Sequence, residues 1–128
     1  MLQIPGLHII DHKKRGRGVY TAIDISKGDL IEICPLIIIP KKDVKKIHQT
    51  ILHDYYFLLE QPKGAACLAL GYGSINNHKS KPNAIVIFDY EKNEMEIQCC
   101  KKIKAGSEIF IDYTDGGDKD APLWFEES

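Results

Sequence analysis

A chain of 128 residues is the size of one ordinary domain, and 44% hydrophobic with 27% charged residues places it among soluble globular proteins. A formal net charge of −1 supplies no broad positive field, which argues against a nucleic-acid backbone as the default partner. The four cysteines, Cys34, Cys67, Cys99 and Cys100, have no CxxC spacing, so neither a zinc site nor a disulfide framework is expected.

In chain order, strands are expected at Leu7 to Asp11, Gly18 to Ile23, Asp29 to Ile33 and Leu36 to Ile39, with a turn at Ser26, Lys27 and Gly28. Pro35 has no amide hydrogen for a ladder, so the apolar run around it reads as two short strands. The polar segment Lys41 to Gln49, with Val44 and Ile47 three apart, predicts a short peripheral helix. Ile51 to Glu60 is apolar and aromatic and is read as a strand, closed by a turn at Gln61 to Gly64. From Ala84 to Tyr90 and from Met95 to Cys99 the pattern is that of an antiparallel hairpin around a turn at Glu91 to Glu94. Cys99 and Cys100 then point to opposite faces, one to the core and one outward. A turn at Ala105 and Gly106 leads into a last strand, Glu108 to Tyr113. The result is one mainly β domain spanning residues 1–128, with an acidic and aromatic tail over 114–128. The first residues lack the basic and apolar regions of a secretory signal, and no apolar run reaches membrane-spanning length. A cytoplasmic or host-nuclear protein that is not secreted is expected.

Three segments hold the candidate functional residues. In RGRGVYTAIDISKGDLI, residues 15–31, Gly16 and Gly18 let backbone groups approach a ligand, although a lone GxG is usually only a turn. In LGYGSINNHKSKPN, residues 70–83, Asn76, Asn77 and His78 follow tight glycine turns; turn capping is the plainer explanation of each singly. Metal binding by His78 is not expected, since no second His or Cys stands at ligand spacing. In AGSEIFIDYTD, residues 105–115, Tyr113 places a phenol at a strand end, where packing is the commoner role.

Together and in this order the segments resemble the signature of the SET-domain protein lysine methyltransferases, over almost the whole chain. Gly16, Arg17 and Gly18 match the family's GxG. Asn77, His78, Pro82 and Asn83 match NHxxxPN, and Glu108 to Tyr113 matches ELxxDY. The chain looks most like the minimal stand-alone SET proteins of viruses and bacteria. The resemblance implies a β-clip of several small antiparallel sheets with short helices, its C-terminal segment threaded beneath a loop. It implies S-adenosylmethionine as cofactor and a lysine on a basic protein as substrate, histone-like, ribosomal or DNA-packaging. By the same carry-over, Gly16, Arg17, Gly18, Tyr72, Asn77, His78, Tyr113 and Trp124 bind the cofactor. Tyr113 and Tyr55 are the candidate catalytic residues, and Tyr55, Tyr56, Tyr113 and Phe125 line the substrate channel, with Tyr55 and Tyr56 competing for one role. Lys79 and Ser80 stand where the family usually has serine and cysteine. The acidic residues Asp115, Asp118 and Asp120 would attract a basic substrate. Leu36 to Ile39 is a candidate edge for homodimer formation. The rival readings are a non-catalytic SET-like module that binds a partner or cofactor, and a methyltransferase acting on a small molecule.

Overall fold

The computed structural model describes residues 2–14 and 16–112. Among the described residues are ten strands, of which β4 is the longest: β1 (Leu2–Gln3), β2 (Leu7–His12), β3 (Gly16–Thr21), β4 (Leu30–Ile39), β5 (Tyr56–Leu58), β6 (Ala66–Ala69), β7 (Asn77–His78), β8 (Ala84–Asp89), β9 (Glu94–Cys99) and β10 (Phe110–Ile111). A single α-helix among the described residues, α1 (Lys41–His48), follows β4. The largest sheet runs β5-β6-β4-β9-β8 with β1 added beside β4, while β2-β3 and β7-β10 form two separate pairs.

β4 crosses Pro35 without stopping, where the sequence predicts a break. The strand is continuous because it changes partners there. Leu30 to Pro35 pairs with β9, and Leu36 to Ile39 pairs with β6. Pro35 gives no N–H at the changeover, but its carbonyl accepts from Leu70 N at 2.9 Å and Leu36 N reaches Asn93 O at 3.0 Å. The missing donor therefore falls between two ladders rather than inside one. Along Leu36–Ile39 the strand therefore has a ladder partner in β6, while the β9 ladder on β4 ends at Pro35.

The apolar core forms beneath this sheet from Val19, Ile25, Ile31, Phe57, Met95, Ile97, Ile109 and Ile111, with Cys34, Cys67 and Cys99 among them. Cys99 is buried and Cys100 only half-buried, as strand alternation requires. A satellite cluster of Ile39, Tyr56 and Ala66 lies against Val44 and Ile47 of α1, so the helix spacing of those two residues marks a packed face.

Ile51 to Glu60 is not one strand. Ile51–Asp54 is a 3-10 turn, opened by Thr50, whose hydroxyl accepts from Leu52 N at 3.1 Å, and only Tyr56–Leu58 extends as β5. The local cap outweighs the apolar composition here.

The C-terminal part is held by a clasp. Phe110 directs both backbone groups at Asn83: its N–H donates to Asn83 Oδ1 at 2.8 Å and its carbonyl accepts from Asn83 N at 3.2 Å. Ile111, facing the opposite edge as alternate strand residues must, accepts from Lys79 N at 2.9 Å and pairs in parallel with His78. The loop joining β7 to β8 thus grips β10 on both edges, an arrangement that few folds adopt. Of the described part of the predicted strand Glu108 to Tyr113, residues 108–112, only Phe110–Ile111 forms a ladder. Glu108 makes an isolated bridge to Tyr20, and the chain then leaves β3 for β7.

Candidate active site

β3, β7 and β10 meet at the switch just described. Residues 17, 19 and 21 of β3 turn their backbone groups away from β2 and toward the C-terminal segment. Thr21 N donates to Ser107 O at 3.1 Å, Ile109 N donates to Val19 O at 2.8 Å, and at Arg17 the departing strand is replaced by the Asn77 side chain, whose Nδ2 reaches Arg17 O at 3.1 Å. The GxG segment and the Asn-His segment, separated by some sixty positions of sequence, are joined by that bond.

Glycine is required at 18 for a reason that sequence alone does not reveal. A Cβ there would collide with the Glu108 carboxylate and sit 3.0 Å from Asn77 Nδ2. Gly16 has φ +75 and open space around it, so its surroundings leave room for a ligand.

Glu108, only 8% exposed, is the hub beneath Gly18. Oε2 accepts from Asn77 Nδ2 at 2.7 Å and Oε1 accepts from the Tyr20 hydroxyl at 2.9 Å, while its backbone carbonyl accepts from Asn83 Nδ2 at 2.9 Å. Tyr20 OH in turn lies 2.7 Å from His12 Nε2. Two acceptors on one side of the Asn77 amide, Arg17 O and Glu108, fix which atom is nitrogen. Asn77 Oδ1 accepts no hydrogen bond among the described residues.

His78 is buried beside Asn77, with Nδ1 3.6 Å from Asp112 Oδ1. The segment before it is anchored at both ends. Asn76 Nδ2 donates to Tyr72 O and Gly73 O at 3.0 and 3.1 Å, and Tyr72 N donates to Oε2 of Glu32 at 3.0 Å. Glu32 is a carboxylate at 1% exposure that also accepts from Gln3 Nε2 at 2.9 Å. Lys79, at the position where the family usually has serine, lays its ammonium 4.4 Å from the centre of the Phe110 ring.

The sequence-predicted residues are therefore partly gathered. Gly16, Arg17, Gly18, Asn77 and His78 converge at the crossing, and Tyr72 stands on the turn leading into it. Tyr55 closes the 3-10 turn and is half-exposed. Tyr56 is 7% exposed with its hydroxyl 2.9 Å from His48 Nδ1 in the satellite cluster, and burial raises its pKa. Tyr113, Trp124 and Phe125, with the acidic residues Asp115, Asp118 and Asp120, lie outside the described residues. Sequence reasoning missed Tyr20, Glu32 and His12 and gave Glu108 no role. A tyrosine and two carboxylates that fold into the interior carry no periodic signal; only spatial partners identify them. Among the described residues no group of three or more His, Cys, Asp or Glu side chains gathers as a metal site.

Comparison with known proteins matches this architecture. The SET-domain family model covers residues 16–114. A histone-lysine N-methyltransferase of Schizosaccharomyces pombe, H3 lysine-37 specific, is 33% identical over 122 residues, 94% of this chain and 78% of that protein. The crystal structure of a Plasmodium falciparum protein assigned as a histone methyltransferase superposes with a TM-score of 0.68 at 28% identity, over 88% of this chain and 95% of that one. A chain of ctPRC2, in an autoinhibited conformation bound to S-adenosylmethionine, gives a TM-score of 0.67 at 22% identity; the match covers 84% of this chain but 15% of that much longer one, and shows the shared fold. A β-clip whose GxG and Asn-His segments meet at one crossing against β10 defines the class, and the chain belongs to the SET-domain family. It is a protein-lysine N-methyltransferase, and enzymes of this family take the methyl group from S-adenosylmethionine.

Proposed function

We propose that the single domain of residues 1–128 binds S-adenosylmethionine at the β3–β7–β10 crossing and methylates a lysine in the basic tail of a histone, acting in the cytoplasm or nucleus. The observation that carries this is the bond from Asn77 to Arg17 O above the Glu108 carboxylate. It joins the GxG and Asn-His segments into one polar cradle with open space at Gly16. The donor set fits such a ligand: Asn77 presents an acceptor oxygen suited to an ammonium, and the nearby backbone of Gly16 to Gly18 can meet polar groups without side-chain hindrance. When bound, S-adenosylmethionine supplies a methyl carbon attached to a positively charged sulfur.

The chain's own part is to orient and desolvate. Tyr113 would place its hydroxyl oxygen beside the carbon being transferred, favouring its partial positive charge, and Trp124 would cover the cofactor. Tyr55, with Phe125, would line the lysine channel. Tyr56 is the weaker channel candidate because its hydroxyl is committed to His48. An apolar channel disfavours the ammonium form of the target lysine, which yields its proton to solvent before the nitrogen attacks. Held in line by the channel, the lysine nitrogen would form its bond to the methyl carbon as that carbon parts from the departing sulfur, and this alignment would supply most of the acceleration. The S. pombe relative's histone specificity supports a histone H3 substrate, and the acidic residues Asp115, Asp118 and Asp120 would draw in its lysine- and arginine-rich tail.

Methyl transfer from labelled S-adenosylmethionine to core histones, with the modified residue mapped by mass spectrometry, tests this reading. Label on a histone lysine that Tyr113→Phe reduces by about a hundredfold or more is expected. Label on a free small molecule and none on protein would overturn the histone assignment.

A further inference from the structure

The hydrogen-bond chain His12–Tyr20–Glu108–Asn77 reaches from a half-buried histidine on β2 to the amide at the centre of the crossing. Its polarity is fixed by counting protons. Glu108 Oε1 lies 2.9 Å from the Tyr20 hydroxyl and takes its only hydrogen, so His12 must hold its proton on Nε2 to bond Tyr20 OH at 2.7 Å. Glu108 Oε2 accepts from Asn77 Nδ2 at 2.7 Å, and the same nitrogen reaches Arg17 O at 3.1 Å. Each donor in the chain points toward the carboxylate, and the carboxylate faces the NH2 group of Asn77. The amide oxygen must then face the other way.

We infer that Tyr20 and Glu108 are positioning residues for cofactor binding, which lock Asn77 in the one amide orientation that offers its oxygen to the ammonium end of S-adenosylmethionine. Without the lock, an amide that can turn over presents NH2 to that ammonium half as readily, a donor facing a donor. Gly18 belongs to the device, because a side chain there would displace the carboxylate. So does the bridge of Tyr20 to Glu108, which holds the two backbones in register so that hydroxyl and carboxylate meet. His12 orients the hydroxyl from outside, its ring centre 5.8 Å from that of Tyr20. The inference rests on the proposed cofactor site.

The test is a double-mutant cycle on S-adenosylmethionine binding, measured by equilibrium dialysis with the unsubstituted chain, Tyr20→Phe, Asn77→Ala and the pair, alongside histone-methylation kinetics. Tyr20→Phe removes one oxygen and keeps the ring. It is expected to weaken binding, and to raise KM for the cofactor, about three- to tenfold, as for loss of one hydrogen bond, with kcat nearly unchanged. In the Asn77→Ala background the same substitution should change affinity less than twofold. A general loosening of the fold would lower kcat and melting temperature and would multiply with Asn77→Ala. That multiplication, or unchanged affinity in Tyr20→Phe, would overturn the inference while leaving the cofactor site standing. Absence of saturable binding by the unsubstituted chain would overturn both.

Discussion

The Gly18 Cα faces a carboxylate, and the smallest possible addition there is informative. Gly18→Ala drives a methyl group into Glu108 and against Asn77 Nδ2. Cofactor affinity should fall by an order of magnitude or more, readable by calorimetric titration, since Glu108 and Asn77 must both shift. Gly73→Ala probes packing among apolar neighbours instead: its Cβ would lie 2.6 Å from Ala69 Cβ, 2.8 Å from Cys34 Sγ and 3.0 Å from Met95 Cε. Overpacking of this kind costs about 1–3 kcal/mol, seen as a lower midpoint in urea unfolding. The buried thiols make a prediction of definite sign. Burial raises the Cys67 thiol from 9.0 to about 12 and raises Cys34 further, so both stay protonated in the folded chain where the unfolded chain would ionise. Their contribution to stability is complete below pH 9 and is lost as the pH rises from 9 toward 12, because the folded state then holds the extra protons. Denaturant midpoints should decline across that interval, and Cys100, half-buried, should be alkylated before Cys34 or Cys67.

At the scale of elements, the clasp around β10 depends on one side chain. Asn83 donates to Glu108 O and accepts from Phe110 N through the two ends of its amide, and its own N–H reaches Phe110 O. Asn83→Ala deletes two of those bonds and leaves their partners partly buried, for a loss of about 2–4 kcal/mol by thermal or denaturant unfolding, with cofactor binding weakened in parallel. Asn83→Asp keeps the acceptor and should lose less. Much at this scale was legible beforehand: the β8–β9 hairpin, β2, β3 and α1 stand where alternation, glycine turns and helical spacing put them. The failures share a cause. Pro35 breaks strands in general, but here it falls where β4 exchanges β9 for β6, and which partner lies opposite is a tertiary fact. The 3-10 turn at Ile51–Asp54 hides in an apolar run because its signal is the single cap residue Thr50. The short β10 is likewise set by the clasp rather than by its own composition.

Across the whole molecule, three motifs spread from residue 16 to residue 112 reach one place because β4 carries the sheet and the β7–β8 loop grips the C-terminal segment. Motif order made the GxG and Asn-His residues of the site readable from sequence. The groups that hold them were not: Glu32 and Tyr20 look like ordinary strand residues until their partners are known, and Glu108 stands out only as the start of a motif, without the role that its partners give it. The measurement that tests the central claim most directly is photochemical cross-linking of labelled S-adenosylmethionine to the intact chain, with the labelled peptide identified by mass spectrometry. Label within residues 16–20 or 72–78, competed away by S-adenosylhomocysteine and lost in Asn77→Ala, is the predicted result. Saturable label confined to residues 41–48 of α1, unaffected by Asn77→Ala, would contradict the site.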